Sequence, residues 1–380
     1  MANPLIELGK AGQSVWLDYL SRDLLNSGEL KRLIEDDGLK GVTSNPTIFE
    51  KAITGGKDYD GIIQGIIAKN VTDPKEIFIQ MAASDVSDAA KLLKGVYDQT
   101  GGSDGYVSIE VSPDLAYDTA ATIAEAKRLW ALTGGGNVYV KVPATKQGLP
   151  AIRALIGEGM NINVTLLFSV KRYEEVMDAY LSGLEDRIAK GLPIDKITSV
   201  ASFFVSRVDT MADKMLDRLY QESDVSGKDV ISRFYGRAAV ANAKVAYKKY
   251  REVFEGDRFL SIEGKGGRVQ RILWASTSTK NPAYKDIKYV EELIAPNSVN
   301  TMPENTIKAF KDHGKARVSI YDDAEGAGRI LDKLRDIGVD IDYVTAELEA
   351  EGVKLFSDSY HSLLEKITQK RDALLSKAGK

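Results

Sequence analysis

The sequence contains no cysteine, which excludes thiol nucleophiles, disulfide bonds and cysteine-bound metals. It contains only two histidines, His313 and His361, and both lie late in the chain in strongly polar surroundings. A serine–histidine triad or a histidine metal site is therefore not expected. Any acid–base chemistry must fall to carboxylates, lysine or tyrosine.

Long apolar segments are also lacking, since none approaches the roughly 20 apolar residues of a membrane span. Residues 1–12 contain Glu7 and no apolar run, so we expect no secretory signal and a cytoplasmic location.

The formal net charge is −4 over 380 residues, so there is no basic excess. Nucleic-acid and membrane-surface partners usually require one, and neither is expected. A phosphorylated substrate is still compatible, because a local cluster of cations is enough to bind it.

Nucleotide-binding glycine motifs are the third absence: neither the dinucleotide fingerprint nor a P-loop is present, and residues 264–267 are interpreted as a loop. The chain instead alternates short apolar strands with helices, which is typical of parallel βαβ units. About eight units predict an α/β fold of the (β/α)8 TIM barrel class, with a doubly wound open sheet as the alternative. The predicted strands lie at 13–19, 39–46, 106–111, 137–145, 161–166, 197–202, 271–276 and 297–301.

We expect residues 1–380 to form a single barrel domain, with additional C-terminal helices at about 315–380 packed on the barrel. The pattern also predicts one long helix over about 227–254. A helical stripe of apolar residues near the C-terminus favours packing onto the barrel, and a lid or a contact in a possible homodimer is the alternative. This stripe consists of Phe356, Tyr360, Leu363, Leu364, Ile367 and Leu374.

The fourth predicted strand carries a lysine on its less apolar face. Val138, Val140 and Val142 share one face, whereas Tyr139 and Lys141 share the other. The ammonium group therefore lies near the carboxyl end of the strand, where loss of solvation favours the neutral amine. A neutral amine can attack a carbonyl and form a Schiff base. The alternative is an ordinary strand-end lysine whose side chain reaches water.

Polar residues recur near the carboxyl ends of the predicted strands, opposite aliphatic faces. Barrel active sites lie at this end, whereas barrel interiors are normally filled with branched apolar side chains. We therefore predict an active site; the alternative is a polar plug in which each group is separately hydrogen-bonded. The set consists of Asp18, Asn45, Glu110, Lys141, Asn163, Thr165, Ser202 and Ser276.

The chemistry of this set is coherent. A Schiff-base lysine needs proton shuttles, and Asp18 and Glu110 are the two inward carboxylates. Arg207 begins a predicted helix, where the dipole and free N–H groups favour anions, so it is a candidate phosphate ligand. The alternative role for Arg207 is a surface salt bridge with Asp209 or Asp213. The side chains that can bind sugar hydroxyls are Asn45, Asn163, Thr165, Ser202 and Ser276.

Five segments carry these residues, namely Thr43-Ser44-Asn45-Pro46, Ser108-Ile109-Glu110-Val111, Val140-Lys141-Val142-Pro143-Ala144-Thr145, Asn163-Val164-Thr165-Leu166-Leu167-Phe168-Ser169 and Ser202-Phe203-Phe204-Val205-Ser206-Arg207. Together they resemble transaldolase, a family of the class I (Schiff-base) aldolase superfamily, in the family's order. The resemblance covers roughly residues 10–310, and the chain length resembles the long-chain branch.

The resemblance implies transfer of a dihydroxyacetone unit from sedoheptulose 7-phosphate to glyceraldehyde 3-phosphate, which gives erythrose 4-phosphate and fructose 6-phosphate in the non-oxidative pentose phosphate pathway. It implies that Lys141 carries the unit as a Schiff base. Asp18 would exchange the proton of the hydroxyl next to the breaking bond, and Glu110 would act through a water held with Thr165. No metal or organic cofactor is implied.

The resemblance also implies a sugar and phosphate site. Arg207 would bind phosphate. Many family members have a second arginine two residues after the serine that matches Ser276; here that position is Ser278. Lys280 follows and could supply the charge, although as a compact ammonium rather than a bidentate fork. The residues implied to hold or adjoin the donor's hydroxyls are Asn45, Asn163 and Ser202.

Two other functions compete. A fructose-6-phosphate aldolase-type enzyme on the same fold would release free dihydroxyacetone, but that branch is much shorter and tends to have glutamine where Glu110 stands. A non-catalytic barrel that binds sugar phosphates would explain the polar rim. It would not explain a lysine flanked by two carboxylates.

Overall fold

The computed structural model describes residues 3–54 and 57–378 and contains a closed barrel of eight parallel strands in chain order. The predicted (β/α)8 barrel is confirmed, and the open doubly wound sheet is wrong. The strands are β1 Gln13–Asp18, β2 Gly41–Thr43, β3 Tyr106–Glu110, β4 Val138–Pro143, β5 Ile162–Leu167, β6 Ser199–Phe204, β7 Gln270–Ala275 and β8 Ser298–Met302.

Helices connect the strands and close the described chain. Several begin at a polar cap, as where the Asp118 side chain accepts a hydrogen bond from Ala121 N–H. The helices are α1 Pro4–Lys10, α2 Arg22–Asn26, α3 Glu29–Asp37, α4 Pro46–Thr54, α5 Asp60–Ile67, α6 Pro74–Gln99, α7 Thr119–Thr133, α8 Gly148–Gly157, α9 Val170–Ala189, α10 Ser206–Glu222, α11 Val225–Ser232, α12 Ala238–Phe254, α13 Asp257–Glu263, α14 Lys288–Glu291, α15 Glu304–His313, α16 Ala324–Asp336 and α17 Ile341–Ala378.

Strand register brings the polar residues together. Glu110 of β3 lies opposite Lys141 of β4, and Lys141 lies opposite Asn163 of β5. Asp18 of β1 lies opposite Thr43 of β2. Residues that are far apart in sequence therefore meet at the carboxyl end of the barrel.

Aromatic rings fill the barrel interior below these polar residues. Trp16 packs directly on the backbone of Gly41, where a β-carbon would overlap the indole ring. The Trp16 ring stacks on Tyr139 at 6.0 Å between centroids, and Tyr139 stacks on Tyr106 at 4.3 Å. The barrel is thus closed from below by a packed core, as barrel interiors generally are.

The predicted long helix over 227–254 is wrong, because the chain forms α11 and α12 instead. Between them Gly236 adopts a left-handed backbone with φ of 66°. A helix cannot continue through that conformation, and glycine adopts it at little cost. The apolar periodicity on either side concealed the break.

The C-terminal helices contact the barrel's outer helices. α16 packs against α12, and α17 packs against α4, α6 and α10. In the first half of α17, Gly352 approaches Leu166 and Phe168 near the end of β5. These contacts support packing of the C-terminal helices on the barrel; the assignment of residues 1–380 to one domain stays a prediction. In the described part of the chain, every helix is too short or too polar to cross a bilayer.

Candidate active site

A cavity of about 420 Å³ opens at the carboxyl ends of the strands. Its wall includes side chains from β1, β4, β5 and β6, the beginning of α10 and the segment after β7. Most of the predicted site residues line this one cavity. They are Asp18, Asn45, Lys141, Thr165, Ser202, Arg207, Ser276 and Lys280.

Lys141 is held inside the barrel rather than in water. Only 5% of the Lys141 surface is exposed. The Nζ atom donates to Glu110 Oε2 at 3.1 Å and to the Ser44 backbone oxygen at 3.2 Å. The alternative of an ordinary solvent-reaching lysine is therefore wrong. The amine is oriented by two acceptors at the wall of a cavity that a small carbonyl compound can enter.

The charge of Lys141 lowers the pKa values of two nearby carboxyl groups, those of Asp18 and Glu110. Burial raises the pKa of Asp18 above its usual range, and Lys141 and the Thr43 hydrogen bond partly oppose that rise. Burial likewise raises the pKa of Glu110, against the effect of Lys141. Thr43 Oγ1 donates to Asp18 Oδ1 at 2.8 Å. Both carboxyls are thus closer to exchanging protons near neutral pH than exposed ones would be.

Thr165 presents an unused hydroxyl to the cavity. The residue is fully buried, and its Oγ1 has no hydrogen-bond partner among the described residues. A buried polar atom without a partner is costly and calls for an explanation. A hydroxyl in this position can bind a substrate oxygen or a water beside Lys141.

Asn163 and Glu110 do not line this cavity. Ser202 Oγ donates to Asn163 Oδ1 at 2.7 Å, and Asn163 Nδ2 donates to Ser108 Oγ at 3.1 Å. These bonds form a floor beneath the cavity, with Asn163 fully buried. The Glu110 side chain is 7% exposed and lies behind Lys141. Direct contact of Asn163 with substrate stays a prediction.

Arg207 is the second residue of α10 and a half-buried cation at the cavity wall. Within 3–54 and 57–378 it forms no ion pair or hydrogen bond, and its guanidinium lies 5.9 Å from the Phe204 ring. The proposed salt bridge to Asp209 or Asp213 is absent there, because those carboxylates bind other groups. Burial lowers the pKa of Arg207, and the charge of Glu351 only partly opposes that effect, so the guanidinium is incompletely compensated. An anion would compensate it.

The segment after β7 supplies the other cation. Lys280 Nζ donates to Ser278 Oγ at 2.8 Å, so the two candidates for the second phosphate ligand lie together. Ser276 has a left-handed backbone with φ of 56°, which is uncommon for serine. Its hydroxyl lies 2.9 Å from that of Ser206. Ser276 therefore joins the segment after β7 to the start of α10.

Further residues that were not assigned from the sequence also line the cavity, among them Lys51, Thr43, Phe204, Thr301 and Phe356. Thr43 could have been found, because strand alternation places it on the same face as Asn45. Phe356 could not, since nothing in its helical stripe indicates which barrel surface α17 crosses.

A larger cavity of about 570 Å³ lies elsewhere, between α12, α14 and α16. Charges of both signs line it, and several pair with one another, as Lys285 does with Glu291 at 2.6 Å and Lys288 with Glu292 at 2.7 Å. Size alone therefore does not identify the reactive site. The smaller cavity has the oriented amine, the Asp18 carboxyl and a guanidinium that has no ion-pair partner in the described part of the chain.

A carbonyl compound that entered the smaller cavity would meet one buried amine with a carboxylate 3.1 Å away. An α/β barrel with that arrangement at its strand ends is typical of enzymes that work through a lysine Schiff base. Comparison with known sequences gives the family. The sequence model described as transaldolase/fructose-6-phosphate aldolase matches residues 15–367, and the chain belongs to that family.

Relatives that carry the name transaldolase cover almost the whole chain. The chain is 45% identical to a transaldolase of Trichodesmium erythraeum over 97% of its own length and 98% of the relative's. It is 48% identical to transaldolase 2 of Streptomyces avermitilis over 96% of each chain. It is 49% identical to a transaldolase of Mycobacterium bovis, again over 96% of each chain.

Proposed function

We propose that the chain catalyses the transaldolase reaction: it moves a dihydroxyacetone unit from sedoheptulose 7-phosphate to glyceraldehyde 3-phosphate and leaves erythrose 4-phosphate and fructose 6-phosphate. The observation that carries the proposal is Lys141, buried at the cavity wall with Nζ 3.1 Å from Glu110 Oε2. Its support is the identity of 45–49% to relatives named transaldolase.

In the first step Lys141 Nζ attacks the ketone carbon C2 of the donor and forms a carbinolamine. Loss of water then gives the iminium ion, and the departing hydroxyl must receive a proton. Glu110 is the adjacent carboxyl, and a water bound to the Thr165 hydroxyl would relay the proton. The unused Oγ1 of Thr165 supports this relay.

In the second step the bond between C3 and C4 breaks. Asp18 takes the proton of the C4 hydroxyl, the electrons of the broken bond flow to the iminium nitrogen, and erythrose 4-phosphate leaves. The three-carbon unit stays on Lys141 as an enamine. The raised pKa of Asp18 suits a group that must first accept this proton and later return it.

In the third step the enamine carbon attacks the aldehyde of glyceraldehyde 3-phosphate, and Asp18 protonates the new alkoxide. Water then hydrolyses the iminium and releases fructose 6-phosphate. Asn45 and Ser202 line the cavity where the hydroxyls of the bound unit would lie. Arg207 and Lys280 supply the positive charge for the phosphate.

Borohydride reduction tests the covalent step. The protein is incubated with fructose 6-phosphate, reduced and digested, and the peptides are analysed by mass spectrometry. We expect a reduced three-carbon adduct on Lys141. Erythrose 4-phosphate added before the borohydride should discharge the adduct, because transfer consumes the enamine. An adduct that persists would indicate plain cleavage, and an adduct elsewhere would refute the mechanism.

The non-catalytic alternative is tested with Lys141→Ala. Loss of activity with sugar-phosphate binding retained would refute a scaffold, since a scaffold has no activity to lose. The cytoplasmic location, the possible homodimer and the roles of individual site residues stay predictions.

A further inference from the structure

Two aspartates on α10 lie on the side away from the cavity. Asp209 and Asp213 are one helical turn apart and are 1% and 8% exposed. Neither lines the active-site cavity. Buried carboxylates require hydrogen-bond donors, because their desolvation is otherwise costly. Their donors come from two other parts of the chain.

Each aspartate accepts one backbone N–H and one tyrosine hydroxyl. Asp209 accepts from Ala239 N–H at 2.7 Å and from the Tyr289 hydroxyl at 2.8 Å. Asp213 accepts from Gly236 N–H at 2.9 Å and from the Tyr284 hydroxyl at 2.6 Å. The side chains of Asp209, Asp213, Tyr284 and Tyr289 are here called the tyrosine clamp. They tie α10 to the start of α12, to the segment after β7 through Tyr284 and to α14 through Tyr289.

The packing around the tyrosine clamp is close. A β-carbon on Gly236 would lie 2.7 Å from the Tyr284 ring, and the residue's φ of 66° also favours glycine. The Tyr284 ring therefore packs against the backbone of Gly236, in the segment that connects α11 to α12. Its ring cannot move without disturbing both the hydrogen bond to Asp213 and this contact.

The two clamped segments carry the two candidate phosphate ligands. Arg207 lies near the start of α10, two residues before Asp209. Lys280 lies in the segment between β7 and Tyr284. Ser206 N–H donates to the Ser276 oxygen at 3.0 Å, so the segments also meet at the cavity. The tyrosine clamp joins the same two segments at a second place, away from the cavity.

We propose that the tyrosine clamp positions Lys280 relative to Arg207 and so determines affinity for the phosphate of the substrate. This inference rests on the proposed function. The clamp residues are positioning residues, since none lines the cavity. Lys280 is exposed, and its Nζ is held only by Ser278 of the same segment, so the position of the ammonium depends on the backbone that carries both residues.

The test replaces the two tyrosines by phenylalanine, singly and together. Tyr284→Phe and Tyr289→Phe each remove one donor to a buried carboxylate and keep the ring. We expect the double variant to raise KM for fructose 6-phosphate roughly tenfold, with kcat changed less than about twofold. The inhibition constant of inorganic phosphate as a competitor should rise in parallel.

The matched control is Tyr235→Phe. Tyr235 donates to Asp217 at 2.8 Å, one further turn along α10, but this pair is at the surface and does not include the segment after β7 that carries Lys280. Its loss should leave KM unchanged. The Tyr284→Phe and Tyr289→Phe changes should also have no further effect on KM when Lys280 is already methionine, because there is then no charge to position.

Several outcomes would contradict the proposed role of the tyrosine clamp in positioning Lys280. One is an unchanged KM and phosphate inhibition constant in the double variant. Another is an equal loss of borohydride trapping on Lys141 with fructose 6-phosphate and with dihydroxyacetone, which lacks phosphate, since that would indicate general disruption. If the double variant does not fold, Tyr284→Phe alone decides. Borohydride trapping of dihydroxyacetone on wild-type Lys141 is the separate readout: its failure would refute the proposed function rather than the clamp.

Discussion

The two ends of the barrel treat buried charge in opposite ways. At the amino end Asp104 accepts hydrogen bonds from Ser14 Oγ and from Trp16 Nε1, and forms an ion pair with Arg271 at 3.2 Å. Arg271 also donates to the Ser298 backbone oxygen at 2.8 Å. This charge is neutralised within the protein and contributes to the fold, although the pair also lines a cavity of about 410 Å³ at this end.

At the carboxyl end the charges and polar groups are left partly open. Arg207 has no ion-pair partner in the described chain, and Thr165 Oγ1 has no hydrogen-bond partner there. Lys141 is paired with Glu110, yet it still lines a cavity. The comparison teaches that an oriented amine together with nearby carboxyl groups and an open hydroxyl, rather than the number of polar residues, distinguishes the reactive end from the structural one.

The largest effect should come from Lys141→Met. It removes the only proposed nucleophile, so we expect kcat to fall at least about 1,000-fold while the protein remains folded. The matched control is Lys40→Met, which changes a half-buried lysine at a cavity on the amino side. Steady-state kinetics and circular dichroism of both variants would check this. If kcat fell equally in the two variants, the carboxyl end of the barrel could not be called the reactive end.

At the amino end, Asp104→Asn should affect stability instead. Arg271 would keep its carbonyl acceptors but lose its carboxylate, and its side chain is only 15% exposed. Breaking a buried pair in this way costs about 3 kcal/mol of unfolding free energy. Urea denaturation would measure that loss, and kcat should stay within about twofold. A large fall in kcat at unchanged stability would contradict the structural assignment.

Affinity rather than turnover should change in Arg207→Met. A charge-assisted hydrogen bond to phosphate contributes about 1.5–3 kcal/mol, so KM for fructose 6-phosphate should rise roughly 10- to 100-fold. Arg268→Met is the control, because Arg268 donates to backbone oxygens of Asp195 and Gly101 at the other end of the barrel. An unchanged KM in Arg207→Met would remove Arg207 from the phosphate site.

The sequence was sufficient for the features that depend on local periodicity. Strand alternation placed Lys141 and Thr165 on the inner face, and the position of Arg207 at the start of a helix followed from the pattern around it. The break at Gly236 was missed because apolar spacing continues across it, and only the approach of Tyr284 shows why glycine stands there.

Features that depend on tertiary pairing could not be predicted. The floor made by Ser202 and Asn163 requires the register of β5 and β6, which no local pattern specifies. Tyr284 and Tyr289 lie 71 and 80 residues from the aspartates that they contact. Neither tyrosine has a sequence signal beyond its own aromatic character, so the tyrosine clamp becomes visible only in the fold.

The smallest effect should be a shift of the pH profile. Thr43 has one hydroxyl proton, which it donates to Asp18, so Thr301 must donate to Thr43 across their 2.7 Å contact. This chain stabilises ionised Asp18 and lowers its pKa against the rise caused by burial. Because the mechanism needs ionised Asp18, kcat/KM should fall as pH falls through that pKa.

Removing the Thr43 hydroxyl should raise the pKa of Asp18 further, so Thr43→Val should move the acid limb of kcat/KM to higher pH. Thr301→Val should move it in the same direction by less, because it weakens the chain without breaking the bond to Asp18. In Asp18→Asn the limb due to this group should vanish along with most of the activity. A Thr43→Val profile that overlays the wild type would mean that the acid limb belongs to another group, of which Glu110 is the nearest to Lys141.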